Sequence, residues 1–182
     1  MENLIRRIQA GQIFGAEPVL VISDNPQAGA ISKAERLRVP VRIVERKNFL
    51  SKPEFENAII RHLEASQIDL IALAGFMKIL SPDFVKRYRG RIINIHPAYL
   101  PDFRGAHAIR DAFEAKVKET GVTVHFVDEG VDTGPIILQR KVPIDPQDTL
   151  ESLEAKIHAV EYELYPEALR LVISGKAKFP LK

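Results

Sequence analysis

The chain has 182 residues, 46% of them hydrophobic and 27% charged, with a formal net charge of +2. That length and balance suit one soluble globular domain, and they argue against a strongly basic nucleic-acid surface while leaving room for a local basic patch. The lack of cysteine excludes disulfides, thiolate nucleophiles and zinc–thiolate sites; no apolar run nears the roughly 18 residues of a membrane span and no signal peptide opens the sequence, so a cytoplasmic protein is expected.

Glu2 to Ala10 sets Leu4, Ile5 and Ile8 among charged residues ahead of Gly11, which predicts a helix. Pro18–Ile22 is a short apolar run closed by Ser23-Asp-Asn-Pro26, a buried strand and turn. A helix over Ala28–Leu37 and a strand over Val41–Val44 follow. Ser51-Lys-Pro53-Glu54 joins a capping serine, an early proline and a glutamate three residues on, so a helix starts there, with Phe55, Ile59 and Leu63 on its buried face. Leu70–Ala74 reads as a buried all-apolar strand, and Ser81-Pro82 opens a short helix through Tyr88.

Arg91–Ile95 is rich in β-branched residues and Pro97 stops it, which predicts a buried strand ending in a loop shaped by Pro97, Pro101 and Gly105. Side chains alternate along a strand, so Asn94 and His96 fall on one face and Ile93 and Ile95 on the other. An amide and an imidazole therefore point the same way at a strand's carboxyl end, where open α/β sheets bind ligands. Ala106–Val117 reads as a helix with Ile109, Ala112 and Phe113 inward. The strand Val122–Val127 runs into an acidic, glycine-punctuated loop in which Asp132 precedes Gly134-Pro135. If that loop folds back, Asp132 meets His96 and Asn94. Ile136–Val142 is a further strand, and Asp148-Thr-Leu-Glu151 resembles a capping box before a long helix carrying Leu153, Ile157, Val160 and Leu164. Apolar strands alternating with amphipathic helices, ending in two adjacent strands, indicate an α/β fold with an open, mostly parallel twisted sheet flanked by helices.

Taken singly, Asn94 pins a turn, His96 is a satisfied core histidine and Asp132 is an Asx-turn residue; their joint spacing favours a catalytic set. His125 faces away from Val124 and Phe126 and is placed to line the site beneath His96, whereas His107 serves equally well as a cap or packing residue. No local pair among His96, His125 and Asp132 has metal-ligand spacing, so no metal is expected.

Asn94-x-His96-Pro97 with Leu100-Pro101 and Gly105, followed by Asp132-x-Gly134-Pro135, resembles the signature of the 10-formyltetrahydrofolate-dependent formyltransferases. Leu73-Ala-Gly-Phe-Met77-Lys78-Ile79-Leu80-Ser-Pro and Thr120-Gly-Val-Thr-Val-His125 look most like the branch that formylates glycinamide ribonucleotide in purine biosynthesis. The likeness runs from Met1 to about Leu171. It implies one Rossmann-like formyltransferase domain over residues 1–182, with 10-formyltetrahydrofolate as co-substrate, no metal, no nucleic-acid or membrane partner, and a monomer or homodimer. It implies that Asn94 and protonated His96 stabilise the oxyanion of a tetrahedral intermediate while Asp132 supports His96 and takes the amine's proton.

Folate contacts are implied for Met77, Lys78, Ile79 and Leu80 through their backbone, for Asn94, for Asp128 and Asp132 in the closing loop, and for Lys52 at the glutamate tail. Glu161 is implied to touch the ribonucleotide. The bland alternatives are that Met77 to Leu80 plug the core and that Lys52 and Glu161 are solvated surface charges. The family pattern also has a strand and a glycine-rich phosphate loop ahead of the first helix, and this sequence opens on the helix. The first strand is therefore expected to be absent from the sheet, with weak substrate binding and poor solubility as consequences. Other readings to test are a 10-formyltetrahydrofolate hydrolase and a truncated folate-binding module without turnover.

Overall fold

The amphipathic run after Met1 folds as α1 (Glu2–Gln9) in a computed structural model that describes residues 1–180. The last two residues of the expected domain lie outside the described residues. The chain continues as β1 (Val21–Ser23), α2 (Gly29–Arg36), β2 (Val41–Ile43), a 3₁₀ turn (Arg46–Asn48) and α3 (Lys52–Ala65). Next come β3 (Ile71–Leu73), α4 (Pro82–Arg87), β4 (Ile92–His96), α5 (Ala108–Glu114), β5 (Glu119–Phe126), β6 (Ile136–Pro143) and α6 (Leu150–Ile173).

Helix starts follow the capping chemistry of the sequence. Ser51 Oγ accepts from the Glu54 N–H at 3.3 Å, and Ser81 Oγ from the Phe84 N–H at 3.2 Å, each with proline in the first turn. Before α6 the box sits one residue later than expected. Thr149 and Ser152 exchange side-chain and backbone bonds of 3.2 and 3.0 Å, while Asp148 accepts from Ser152 Oγ at 2.7 Å instead. The expected helix over Ala106–Val117 shrinks to α5, because Ala106 and His107 still belong to the preceding loop and Lys116 turns left-handed with φ 53°.

β1 pairs parallel with β2, and β3 pairs parallel with β4. β5 runs antiparallel to β4 with Asn94 opposite His125, and β6 runs antiparallel to β5. Strands β3, β4 and β6 thus point one way and β5 the other, a mixed, mostly parallel sheet flanked by helices. The first described element is α1, and the β1–β2 ladder does not join the β3–β6 ladder.

The two ladders share their covering helices. On one side Ile22, Ile71 and Leu73 pack on the cluster that contains Phe55, Ala58 and Ile59 of α3. In α1, Leu4 joins the core of β4, β5 and α6, whereas Ile5 joins Ala34, Val39 and the neighbouring Val21. Because β1 and β3 each keep one unpaired edge, neither is the fully buried strand the apolar runs suggest. Every residue of β1 is half-buried, and Ala72 in the middle of β3 is exposed. By contrast β5 is buried from Thr120 to Phe126, under Leu153, Ile157 and Leu164 of α6. Among the described residues no helix is long and apolar enough to cross a membrane.

Proline inside α6 explains how α1 docks. Pro166 has no N–H, so the Tyr162 carbonyl four residues back loses its helical donor. Asn3 of α1 supplies one: its Nδ2 donates to that carbonyl at 3.0 Å, while its Oδ1 accepts from Arg7 Nε at 2.9 Å. Arg7 in turn pairs with Glu163. We expect Asn3→Ala to lower unfolding free energy by about 0.5–1.5 kcal/mol, the usual net contribution of an intramolecular hydrogen bond. In a Pro166→Ala background, where residue 166 regains its N–H, the same substitution should cost less, because only the Arg7 contact is then lost. Urea unfolding of the four variants measures the coupling; equal costs in both backgrounds would refute this account of the junction.

Candidate active site

β4 delivers Asn94 and His96 to one end of the sheet, as side-chain alternation requires. His96, the last strand residue, is only 4% exposed. Opposite Asn94 on β5 stands His125, 2% exposed. Its Nδ1 donates to the Phe126 carbonyl at 2.8 Å, so in the neutral ring Nε2 is a lone pair. Asn94 Nδ2 reaches that nitrogen at 3.4 Å, which leaves the second amide hydrogen for another acceptor.

Asp132 does fold back, and it serves two imidazoles rather than one. Its Oδ2 lies 3.5 Å from His96 Nδ1 and its Oδ1 lies 3.5 Å from His125 Nε2. The Gly105 N–H donates to Oδ2 at 3.0 Å. These contacts hold the Asp132 carboxyl down at about 2, His125 contributing most, against the opposing effect of burial; the Gly105 N–H and the His96 charge add to the depression. The residue sits left-handed, with φ 51°. The loop can return this tightly only because residue 134 is glycine, where a Cβ would lie 1.8 Å from the Phe126 carbonyl oxygen.

The three sequence-marked residues and His125 line one cleft of about 720 Å³, a size suited to a substrate of several rings. Its walls come from Leu73–Leu80 after β3, the Val127–Asp132 loop, and His158, Glu161 and Tyr165 of α6. Among the described residues no group of three or more His, Asp or Glu side chains is arranged to hold a metal ion.

The formyl transferase family profile matches residues 1–169. The chain belongs to that family.

It is 42% identical over 172 residues to the phosphoribosylglycinamide formyltransferase of Bacillus subtilis, which covers 94% of this chain and 88% of the relative. It is 46% identical over 168 residues to the trifunctional purine biosynthetic protein adenosine-3 of Drosophila melanogaster, of whose length it spans only 12%. The solved phosphoribosylglycinamide formyltransferase of Bacillus halodurans superposes with a TM-score of 0.92 at 44% identity, over 97% of this chain and 90% of that one.

In this formyl transferase the segment Met77–Leu80 does not plug the core as a whole. Met77 is 69% and Ile79 63% exposed at the cleft, while Leu80 packs with Phe84 below. Lys78 also lines the cleft and pairs with Asp24 at the end of β1. Asp128 stands at the loop's start, accepting from Thr133 Oγ1 at 2.7 Å and the Gly130 N–H at 3.1 Å, so it holds the loop's shape. Glu161 faces the cleft and accepts from His158 Nδ1 at 2.8 Å.

Two sequence-marked residues lie off the cleft lining. Lys52 opens α3 with its Nζ 3.9 Å from Glu56, and His107 is exposed at the α5 start with no capping bond from its side chain. Two contributions come from outside the marked side chains. The Gly105 N–H on Asp132 is a backbone group, invisible in side-chain patterns. Tyr165 is buried on α6 and its hydroxyl donates to the Leu73 carbonyl at 2.7 Å with the Ile93 carbonyl 3.2 Å away, so its one hydrogen ties that helix to the β3–β4 pair; burial pushes its phenol well above the ordinary value. The available signal was a tyrosine on an apolar helix face, whose hydroxyl must find an acceptor.

A folded carboxyl at about 2 against an ordinary 3.8 stabilises the protein above roughly pH 4, and the contribution drains away as pH falls toward 2. Asp132→Asn lacks it at every pH. The stability gap between wild type and Asp132→Asn should therefore be widest above about pH 4 and close toward pH 2. Urea unfolding across that range reads it, and a gap independent of pH would contradict the assigned contacts.

Proposed function

We propose that this chain transfers the formyl group of 10-formyltetrahydrofolate to the amine of glycinamide ribonucleotide, as a cytoplasmic enzyme of one formyltransferase domain. The observation that carries the reading is the meeting of Asn94, His96 and Asp132 at the floor of one cleft, in a chain so similar to proteins named for that reaction. The amine nitrogen bonds to the formyl carbon and the bond from that carbon to folate nitrogen breaks. Between the two steps the formyl oxygen carries negative charge. The free hydrogen of the Asn94 amide donates to it and the positive charge of protonated His96 stabilises it, while the amine's proton passes to Asp132, directly or through water, and on to the departing folate nitrogen. A carboxylate at about 2 stays ionised throughout the neutral range and so keeps its negative charge beside His96.

Met77 to Leu80 offer backbone groups to the pterin, and Asp128 and Asp132 belong to the loop that closes over it. Glu161 meets the ribonucleotide from α6, with Lys52 reserved for the distant glutamate tail. His125 orients Asn94 and shares Asp132, and His107 takes no direct part.

Asn94→Ala and His96→Ala should each reduce formyl transfer by about a hundredfold or more while the thermal unfolding curve stays cooperative. The assay follows conversion of 10-formyltetrahydrofolate with and without glycinamide ribonucleotide. Near-normal turnover in either variant would sink the assigned roles, and formate release that ignores the ribonucleotide would identify a hydrolase instead.

A further inference from the structure

His96 is held from outside the cleft. Its Nε2 lies 2.8 Å from the Phe103 carbonyl oxygen, which can only accept, so Nε2 carries a proton and Nδ1 is the nitrogen that faces Asp132. Phe103 belongs to the loop between β4 and α5 and is itself left-handed, with φ 50°. The aim of its carbonyl therefore depends on how that loop is anchored.

The anchor is a polar cluster on β5 and β6. The Leu100 N–H donates to Thr123 Oγ1 at 3.1 Å, and the Leu100 carbonyl accepts from Gln139 Nε2 at 2.8 Å. Gln139 Nε2 also donates to Thr123 Oγ1 at 3.0 Å, and that hydroxyl donates to the Ala98 carbonyl at 2.7 Å. Both backbone groups of Leu100 are thus satisfied by these two side chains, and Thr123 is fully buried. Tyr99 packs closely on Gly121, where a Cβ would lie 3.0 Å from it, and Lys141 Nζ stands 5.4 Å from the centre of its ring. Neither Gln139 nor Thr123 lines the cleft, so neither touches a ligand there.

We propose that Gln139, acting with Thr123, is a positioning residue for His96: the pair fixes the loop so that the Phe103 carbonyl holds the imidazole proton on Nε2 and keeps Nδ1 turned to Asp132. The proposal rests on the reading of His96 as the formyl-transfer histidine. Without the carbonyl, a neutral ring beside a carboxylate is better served by an Nδ1 proton donated to Asp132. The neutral ring's tautomer thus reports the carbonyl's hold, and in the imidazolium that acts in the reaction the same carbonyl fixes the ring's orientation by accepting from Nε2.

The test reads the tautomer directly. The chain is labelled with ¹⁵N-histidine and examined by long-range ¹H–¹⁵N correlation at about pH 9, where ordinary imidazoles are neutral, with a His96→Gln spectrum to assign the signal. Wild type should show the Nε2–H form. Gln139→Leu and the near-isosteric Gln139→Glu should shift the population toward Nδ1–H and lower kcat about tenfold, with KM for the ribonucleotide changed less than about twofold. Thr123→Ser should keep the wild-type spectrum and kcat, and Thr123→Val should follow Gln139→Leu. An Nδ1–H form in wild type overturns the proposal even if no variant folds, and so do folded Gln139 variants with unchanged tautomer and kcat. Normal turnover in His96→Ala would instead fail the functional reading, whatever the spectra show.

Discussion

One carboxylate organises this molecule. Asp132 lies between two buried imidazoles that come from adjacent antiparallel strands, and a buried charge is tolerated only when it is paired and hydrogen-bonded. Everything around it serves that condition. Gly134 lets the acidic loop press against β5, the left-handed backbone at Asp132 aims the side chain, and Gly105 contributes an N–H from the other loop. The two loops that form the cleft are thereby tied to each other through a single side chain. Removing it would leave two rings without their shared acceptor and would part the loops.

The framework that presents this carboxylate is uneven. β4, β5 and β6 form a densely packed slab under α6, where Thr123, Val124 and Ile157 are fully buried. The β1–β2 side joins it through helices and the Lys78–Asp24 ion pair rather than through a ladder. Asn94, His96 and His125 sit on the buried half, in β4 and β5. The exposed Met77 and Ile79 flank Lys78 at the junction between the halves and line the cleft.

Much of this was legible beforehand, for identifiable reasons. Alternation placed Asn94 and His96 on one face because a strand's period is fixed by its pleat, and the caps at Ser51 and Ser81 follow from local hydrogen bonding. The meeting of Asp132 with His96 was readable from turn chemistry joined to a family likeness. What stayed hidden is of another kind. That His125 also takes a share of Asp132 depends on strand register, which pairs it with Asn94 and which no single segment encodes. The exposure of Ala72 depends on where ladders end, whereas apolar composition alone reads as burial. The capping box at Thr149 and Ser152 competes with an equally plausible one a residue earlier, and only the geometry of Asp148 decides between them.

The proline in α6 has a consequence for motion. A helix that cannot satisfy its own Tyr162 carbonyl borrows a donor from the first helix, so any excursion of α1 away from the body strips a hydrogen bond from the wall that bears Glu161 and Tyr165. Partial opening at the amino-terminal end and loosening in the middle of α6 thus become a single cooperative event. Backbone amides around Asn3 and Tyr162, distant in sequence, are therefore expected to lose protection against solvent exchange together.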